Sequence, residues 1–281
     1  MLLGGISLIS IALSLGVCLG ANAFAGYSWL WCLPVSFLCC FLSLGLLTFA
    51  VLWVLCRIVD LSKPQEEDSR LYRTLLKLFT PAALTLLLTK VHTRGLEMTP
   101  KSGRFLLVCN HINDMDPVTL LAFFRKSQLA FITKRENMSM FLVGKLMHKT
   151  LCQPINREND REALKTILKC IDILKQDKAS VAVFPEGYTS MNGLLHPFRH
   201  GVFKIALKTN VPIVVCTLQN TNQIFRNAMH LKPTQAHLHL LRVIQPDEYA
   251  GKTAVEIGTY VHNLMAEDLG PDLVEPEKES T

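Results

Sequence analysis

From Met1 to Cys56 the chain contains no lysine, arginine, aspartate or glutamate; its first charged side chain is Arg57. A stretch that long without charge excludes an ordinary solvated surface and lacks the basic start of a cleaved secretory signal. Ala21-Asn22-Ala23 does fit a cleavage site, so a signal peptide stays the alternative reading of the first apolar run. Charge is sparse elsewhere too. Of 281 residues 19% are charged and 49% hydrophobic, which excludes a disordered or fibrous protein. The nine cysteines include no CxxC pair, which excludes a zinc ribbon or disulfide scaffold and points to reduced thiols in a cytoplasmic setting. No RRM, KH, zinc-finger or basic-zipper pattern is present, so a nucleic-acid partner is not expected. There is no internal repeat and no low-complexity segment. The length suits one catalytic domain with an added element.

Two apolar runs, residues 2–24 and 29–56, are each long enough to cross a hydrocarbon core of roughly 30 Å. All three tryptophans fall in the second, with Trp29 and Trp31 at one end and Trp53 at the other. Trp31 and Trp53 would stand about 33 Å apart on a helix, the spacing of two aromatic belts. Residues 1–60 therefore read as a transmembrane helical hairpin. Arg57, Lys63, Arg70 and Arg73 follow the second run and place the rest of the chain on the cytoplasmic face of the cell membrane. Residues 61–94 read as a linker helix. Leu71, Leu75, Leu78, Phe79 and Ala82 form its apolar stripe, and Arg70, Arg73 and Lys77 a basic face suited to anionic lipid; the plainer alternative is an amphipathic helix packed on the domain. Pro81 is expected to kink it. Residues 271–281 carry net −3, so with +6 overall the body 57–270 carries +9. The tail reads as disordered and dispensable, the basic body as a partner for anionic membrane lipid.

Residues 95–270 alternate apolar runs with helical segments. Candidate strands are 105–108, 129–132, 181–184, 213–217 and 237–244; candidate helices are 117–126, 138–149, 158–176, 201–209 and 253–268. This alternation predicts an α/β domain with a mixed or mostly parallel sheet flanked by helices.

One segment carries chemistry. His111 and Asp116 lie five residues apart, about 140° on a continuous helix, and can meet only if the chain turns between them. Asp116-Pro117 supplies that turn, since Asp is favoured as a helix cap and Pro as the first helical residue. A loop from 111 to 116 can then fold a carboxylate onto an imidazole, giving a general base with an orienting acid. The plainer alternatives are a helix cap and a loop histidine, and Asp114 is also within reach. Cys109 would share a strand face with His111 and offers a thiolate nucleophile instead, though a core cysteine is the commoner case. His237 and His239 would share a strand face; with no third ligand at sensible spacing, no metal site is expected.

Asn110-His111 with Asp116-Pro117 resembles the first signature block of the glycerolipid acyltransferases. Lys134-Arg135-Glu136, Gly144 and Pro154-Ile155-Asn156-Arg157 resemble the second block. Phe184-Pro185-Glu186-Gly187-Tyr188-Thr189-Ser190 resembles the third, usually FPEGTRS, and Val211-Pro212-Ile213-Val214 the fourth. Four blocks in order are far more specific than one. The resemblance implies direct transfer of a fatty acyl group from acyl-CoA or acyl carrier protein to the free hydroxyl of 1-acylglycerol 3-phosphate, giving phosphatidic acid. His111 would be the base and Asp116 its orienting acid, with no cofactor beyond the thioester donor. Glu186 and Gly187 would belong to the acceptor pocket; Glu186 also suits holding its own loop by accepting backbone N–H bonds. Lys134 and Arg157 stand at family positions, and Arg199, His200 and Lys204 follow downstream as further phosphate partners, or as plain surface charge. No GxSxG elbow is present, so an acyl-serine intermediate is not expected. Two departures stand out: Thr189 where the third block usually has an arginine that helps bind the acceptor phosphate, and Asn156 where an acid usually precedes Arg157. They leave open another lysophospholipid, or glycerol 3-phosphate, as acceptor. A non-enzymatic lipid-binding protein is the remaining alternative.

Overall fold

The computed structural model describes residues 1–190 and 192–275. The chain forms two compact units, residues 1–62 and 63–281.

In the first unit, α1 (Leu2–Gly20) packs along α2 (Trp29–Arg57). The buried residues of α1 are Ile6, Ser10, Ser14 and Cys18, one every fourth position and hence on a single face. Small side chains there permit close approach. The seryl hydroxyls are satisfied within the helix, Ser10 donating to the Ile6 carbonyl at 2.8 Å and Ser14 to that of Ser10 at 2.6 Å. Both helices are long and apolar enough to cross a membrane, and large side chains such as Leu8, Leu46 and Leu47 point outward.

The second unit follows with α3 (Arg70–Leu86), β1 (Thr89–Arg94), β2 (Leu106–Cys109), α4 (Asp116–Phe123), β3 (Leu129–Lys134), α5 (Val143–Lys149) and β4 (Gln153–Ile155). Then come α6 (Asp160–Lys175), β5 (Ser180–Val183), α7 (Lys204–Thr209), β6 (Ile213–Gln219), α8 (Ile224–Met229), β7 (Thr234–Ile244) and α9 (Ala254–Leu269). The seven strands form one sheet in the order β1-β7-β6-β2-β5-β3-β4. Every pairing is parallel except β6 with β7, so the sheet is mixed and mostly parallel, with helices on both faces. Alternation along β2 separates two cores. Leu106 and Val108 face Ile167, Ile171, Ile205, Val261 and Met265, from α6, α7 and α9. Leu107 and Cys109 face Leu120 and Phe124 beneath α4.

The structure differs from the sequence reading in three places. Residues 63–94 belong to the globular unit rather than to a separate linker. β1 is an edge strand paired with β7, and α3 packs against α4. Arg73, expected on a lipid-facing surface, is 5% exposed. Its guanidinium pairs with Asp68 at 2.8 Å and donates to the carbonyls of Leu129 and Thr150 at 2.6 and 2.9 Å. Second, residues 271–275 are ordered. Leu195 donates its N–H to the Leu273 carbonyl (2.7 Å), Glu275 donates to that of Leu195 (3.0 Å), and the Glu275 carboxylate meets His196 Nδ1 at 2.6 Å. The rest of the expected disordered tail, 276–281, lies outside the described residues. Third, two expected helices are shorter: 3-10 turns at Arg135–Ser139 and His200–Phe203 precede α5 and α7.

Candidate active site

β2 and β5 are parallel neighbours, so the loops that leave their C-terminal ends emerge side by side. The β2 loop returns through α4 to β3 and the β5 loop through α7 to β6, on opposite faces of the sheet. That divergence opens the crevice where α/β sheets carry their sites. The first loop supplies His111 and Asp116, the second Glu186 and Thr189.

Asn110, 1% exposed, prolongs β2 with its side chain: Nδ2 donates to the Leu218 carbonyl at 2.9 Å, and Oδ1 accepts the Leu218 N–H at 2.7 Å. The backbone beyond it is thereby released from the sheet, and the chain turns. Asp116 opens α4, but its carboxylate does not cap that helix, whose preceding residue is Met115. It folds back instead. Oδ2 accepts the N–H groups of Ile112 and Asn113 at 2.7 and 2.8 Å and meets His111 Nδ1 at 2.9 Å. Oδ1 accepts the hydroxyl of Thr221, which follows β6. Asp116 is wholly buried and Asp114 exposed, so of the two carboxylates within reach in sequence the histidine's partner is Asp116. Because Oδ2 already accepts two N–H bonds, it faces the ring as an acceptor. That sets the imidazole proton on Nδ1 and leaves Nε2 with its lone pair. Nε2 lies 3.0 Å from Thr189 Oγ1, and the ring stacks on Phe184 at 4.1 Å between centroids and 18° between planes.

Glu186, 1% exposed, binds the two loops together. One oxygen accepts the His111 N–H at 2.7 Å, the other that of His196 at 3.0 Å. Ser190 returns an N–H to the His111 carbonyl at 2.7 Å. Burial pushes the Glu186 carboxyl up to about 8, against the pull of those two N–H groups, with Asp116 adding to the rise. Gly187 turns the loop at φ +84°; a Cβ there would lie 2.9 Å from the Arg199 side chain. Arg199 Nη1 reaches the Arg157 carbonyl at 3.4 Å. Half-buried Arg157 is held below the usual arginine range, chiefly by burial and then by the Arg199 charge. Gly187, Arg157 and Arg199 thus gather beside the loop of Thr189. Lys134 is exposed and 3.7 Å from Glu136, and Lys204 is exposed at the start of α7.

Cys109 is fully buried, and burial pushes its thiol well above the ordinary range, with Cys216 and Asp116 contributing. A thiolate there is disfavoured, which removes the alternative nucleophile. His237 stacks on His92 at 5.2 Å, and His239 meets Asp268 at 3.0 Å. Among the described residues no His, Cys, Asp or Glu cluster has a metal-binding arrangement. Sequence reasoning missed Thr221 and the contacts of Asn110, Phe184 and Thr189. Thr221 stands 105 residues from Asp116, and no local pattern joins them.

This arrangement defines an α/β protein with a histidine held by a buried aspartate at the C-terminal edge of a mostly parallel sheet. Residues 90–219 match the family model described as Acyltransferase. The chain is 35% identical over 136 residues, 48% of its length, to a chloroplastic 1-acyl-sn-glycerol-3-phosphate acyltransferase of Brassica napus, spanning 39% of that protein. It is 26% identical over 194 residues to the 1-acyl-sn-glycerol-3-phosphate acyltransferase of Salmonella typhimurium, covering 68% of this chain and 78% of that one. The crystal structure of the 1-acyl-sn-glycerophosphate acyltransferase PlsC from Thermotoga maritima shares the fold, with TM-score 0.60 and 23% identity over 73% of this chain and 81% of that one. Over residues 90–219 the chain is thus similar to acyltransferases, and its fold is that of one of them.

Proposed function

We propose that this protein transfers a fatty acyl group from acyl-CoA or acyl carrier protein to the free hydroxyl of 1-acylglycerol 3-phosphate, producing phosphatidic acid. The observation that carries the reading is the state of His111, with Nδ1 committed to a buried carboxylate and Nε2 left to face an incoming hydroxyl. The names of the relatives supply the substrate class. His111 Nε2 takes the proton of the acceptor hydroxyl as its oxygen attacks the thioester carbonyl. Asp116 keeps the ring in the required tautomer and stabilises the imidazolium, which then protonates the departing thiol. A positioned base of this kind contributes roughly 10²–10⁴ in rate. Arg157 and Arg199, beside the Thr189 loop, are the cations to meet the acceptor phosphate. Lys134 and Lys204, both exposed, add positive charge that would attract anionic substrates. Both substrate and product are amphiphiles, and the two apolar N-terminal helices hold the enzyme in the membrane, with the catalytic unit on the cytoplasmic face.

The test is acyl transfer by detergent-purified protein, wild type beside His111→Ala, with both donor types against lysophosphatidate and other lysophospholipids. Transfer to lysophosphatidate that His111→Ala abolishes is expected, while Cys109→Ser stays active. Arg157→Ala should raise KM for a phosphorylated acceptor more than for a neutral one. Wild-type turnover by His111→Ala would refute the mechanism. A second reading rests on Thr189, which brings a hydroxyl rather than a cation to the base: the acceptor is a lysophospholipid with another headgroup, or glycerol 3-phosphate. Activity confined to those acceptors would select it. Absence of transfer with every pair, by folded protein, would favour a lipid-binding role.

A further inference from the structure

Thr189 Oγ1 lies 3.0 Å from His111 Nε2, the ring nitrogen not committed to Asp116. The acceptor hydroxyl of the proposed reaction must occupy that same place, because a base takes a proton only from a group within hydrogen-bond reach. We infer that the Thr189 hydroxyl is a guard: it holds the acceptor's place on the base until a lipid hydroxyl displaces it, and so restrains water from hydrolysing the bound thioester. The inference deepens the function proposed above and rests on it.

Water is always available to a base that is 13% exposed at its side chain. In the reaction to be avoided, a water oxygen bonds to the thioester carbonyl carbon and the C–S bond breaks. His111 passes the water's proton to the sulfur, leaving a free fatty acid and a free thiol. Any newcomer to Nε2 must first break the Thr189 bond, a handicap of about 2- to 10-fold for an ordinary neutral hydrogen bond. A lipid acceptor offsets that handicap with the rest of its contacts, and water has none to offer. The guard is well anchored. Its neighbour Ser190 donates its N–H to the His111 carbonyl at 2.7 Å, and both loops share the Glu186 carboxylate. Thr189 is also β-branched, which narrows its choice of rotamer.

The experiment measures two rates with one acyl-CoA donor: thiol release without acceptor, and acyl transfer with lysophosphatidate. Wild type, Thr189→Ala and Thr189→Ser are compared. The ratio of hydrolysis to transfer should rise about 2- to 10-fold in Thr189→Ala and return to the wild-type value in Thr189→Ser, which restores the hydroxyl. An unchanged ratio in Thr189→Ala overturns the inference. So does an acyl adduct on Thr189 with loss of transfer in Thr189→Ala, which would make this hydroxyl a nucleophile. A second measurement needs no turnover: carbethoxylation of His111 by diethylpyrocarbonate, followed by mass spectrometry of its peptide. It should run faster in Thr189→Ala than in wild type or Thr189→Ser, and equal rates overturn the guard even if no acceptor is found. Transfer that depends on His111 tests the proposed function; the ratio and the labelling rate test the guard.

Discussion

Replacing Asp116 with asparagine separates two roles that a carboxylate beside a histidine can play, choosing the tautomer and stabilising the cation. An amide can present either its oxygen or its NH2 to the ring. Here the choice is forced, because the same Oδ2 accepts the N–H groups of Ile112 and Asn113 at 2.7 and 2.8 Å. An NH2 in that place would set donors against two donors, so the amide oxygen must take it and His111 keeps its proton on Nδ1. The NH2 then faces Thr221, whose hydroxyl oxygen accepts instead of donating. Only the charge is lost. A hydrogen bond to a charged partner contributes about 1–2 kcal/mol more than a neutral one, so kcat should fall about 5- to 30-fold. A reversed tautomer in a serine-hydrolase triad costs about 10⁴-fold. The assay is thiol release under saturating donor and acceptor, with circular dichroism to check the fold. A loss near 10⁴-fold in folded protein would refute the argument that backbone N–H groups set the amide, and a loss below about 2-fold would remove Asp116 from the proposed mechanism. Asp116→Ala is a poor substitute. It strands two N–H groups, a buried hydroxyl and the ring at about 1–3 kcal/mol each, and so reports on folding.

Glu186 is raised from 4.5 to about 8 in the fold. The unfolded chain releases this proton above 4.5 while the folded one keeps it to about 8, so its contribution to stability is full below 4.5 and lost as pH rises through about 8. Glu186→Gln should flatten that part of the pH dependence of Tm between pH 5 and 8.5. It should also lower stability by about 1–3 kcal/mol, because one of two facing N–H groups loses its acceptor; an unchanged slope would refute the assignment. Arg73→Met leaves Asp68 buried without its ion-pair partner and should destabilise the domain by about 3–5 kcal/mol in denaturant melts. A near-neutral result would return Arg73 to the surface role its position in sequence suggests. Deleting residues 271–281 removes the acceptor of the buried Leu195 N–H and the Glu275 partner of His196. Thermal melting should register a loss of about 1–3 kcal/mol, and an unaltered Tm would mean the tail is dispensable.

The legible parts of the fold were those written in apolar runs. The strands at 105–108, 129–132, 181–184 and 213–217 all lie inside the sheet, covered on both faces, and each shows as a cluster of Val, Ile, Leu or Phe. The missed strands are the two edges. β1 reads Thr-Lys-Val-His-Thr-Arg and is largely exposed, and β4 is three residues with a proline at its centre; neither needs apolar residues on both faces, and an edge tolerates proline. Arg73 misled for a related reason. A cation on an amphipathic helix beside an apolar anchor looks like a lipid contact, but the carbonyls and carboxylate that bury it come from residues 68, 129 and 150.

By itself the sequence determined the uncharged apolar hairpin, the α/β alternation and the turn that carries Asp116 toward His111, because each depends on residues near one another in the chain. It also supplied the four blocks that carry the resemblance to the glycerolipid acyltransferases. Tertiary structure alone decided which carboxylate meets the imidazole, which ring nitrogen keeps its lone pair and what faces it. Those outcomes need Leu218, Thr221, Glu186 and Thr189, brought from 75 to 108 residues away by parallel pairing of β2 with β5 and β6. A hydrogen bond depends on direction and on distances of tenths of an ångström, and linear spacing carries neither across a sheet.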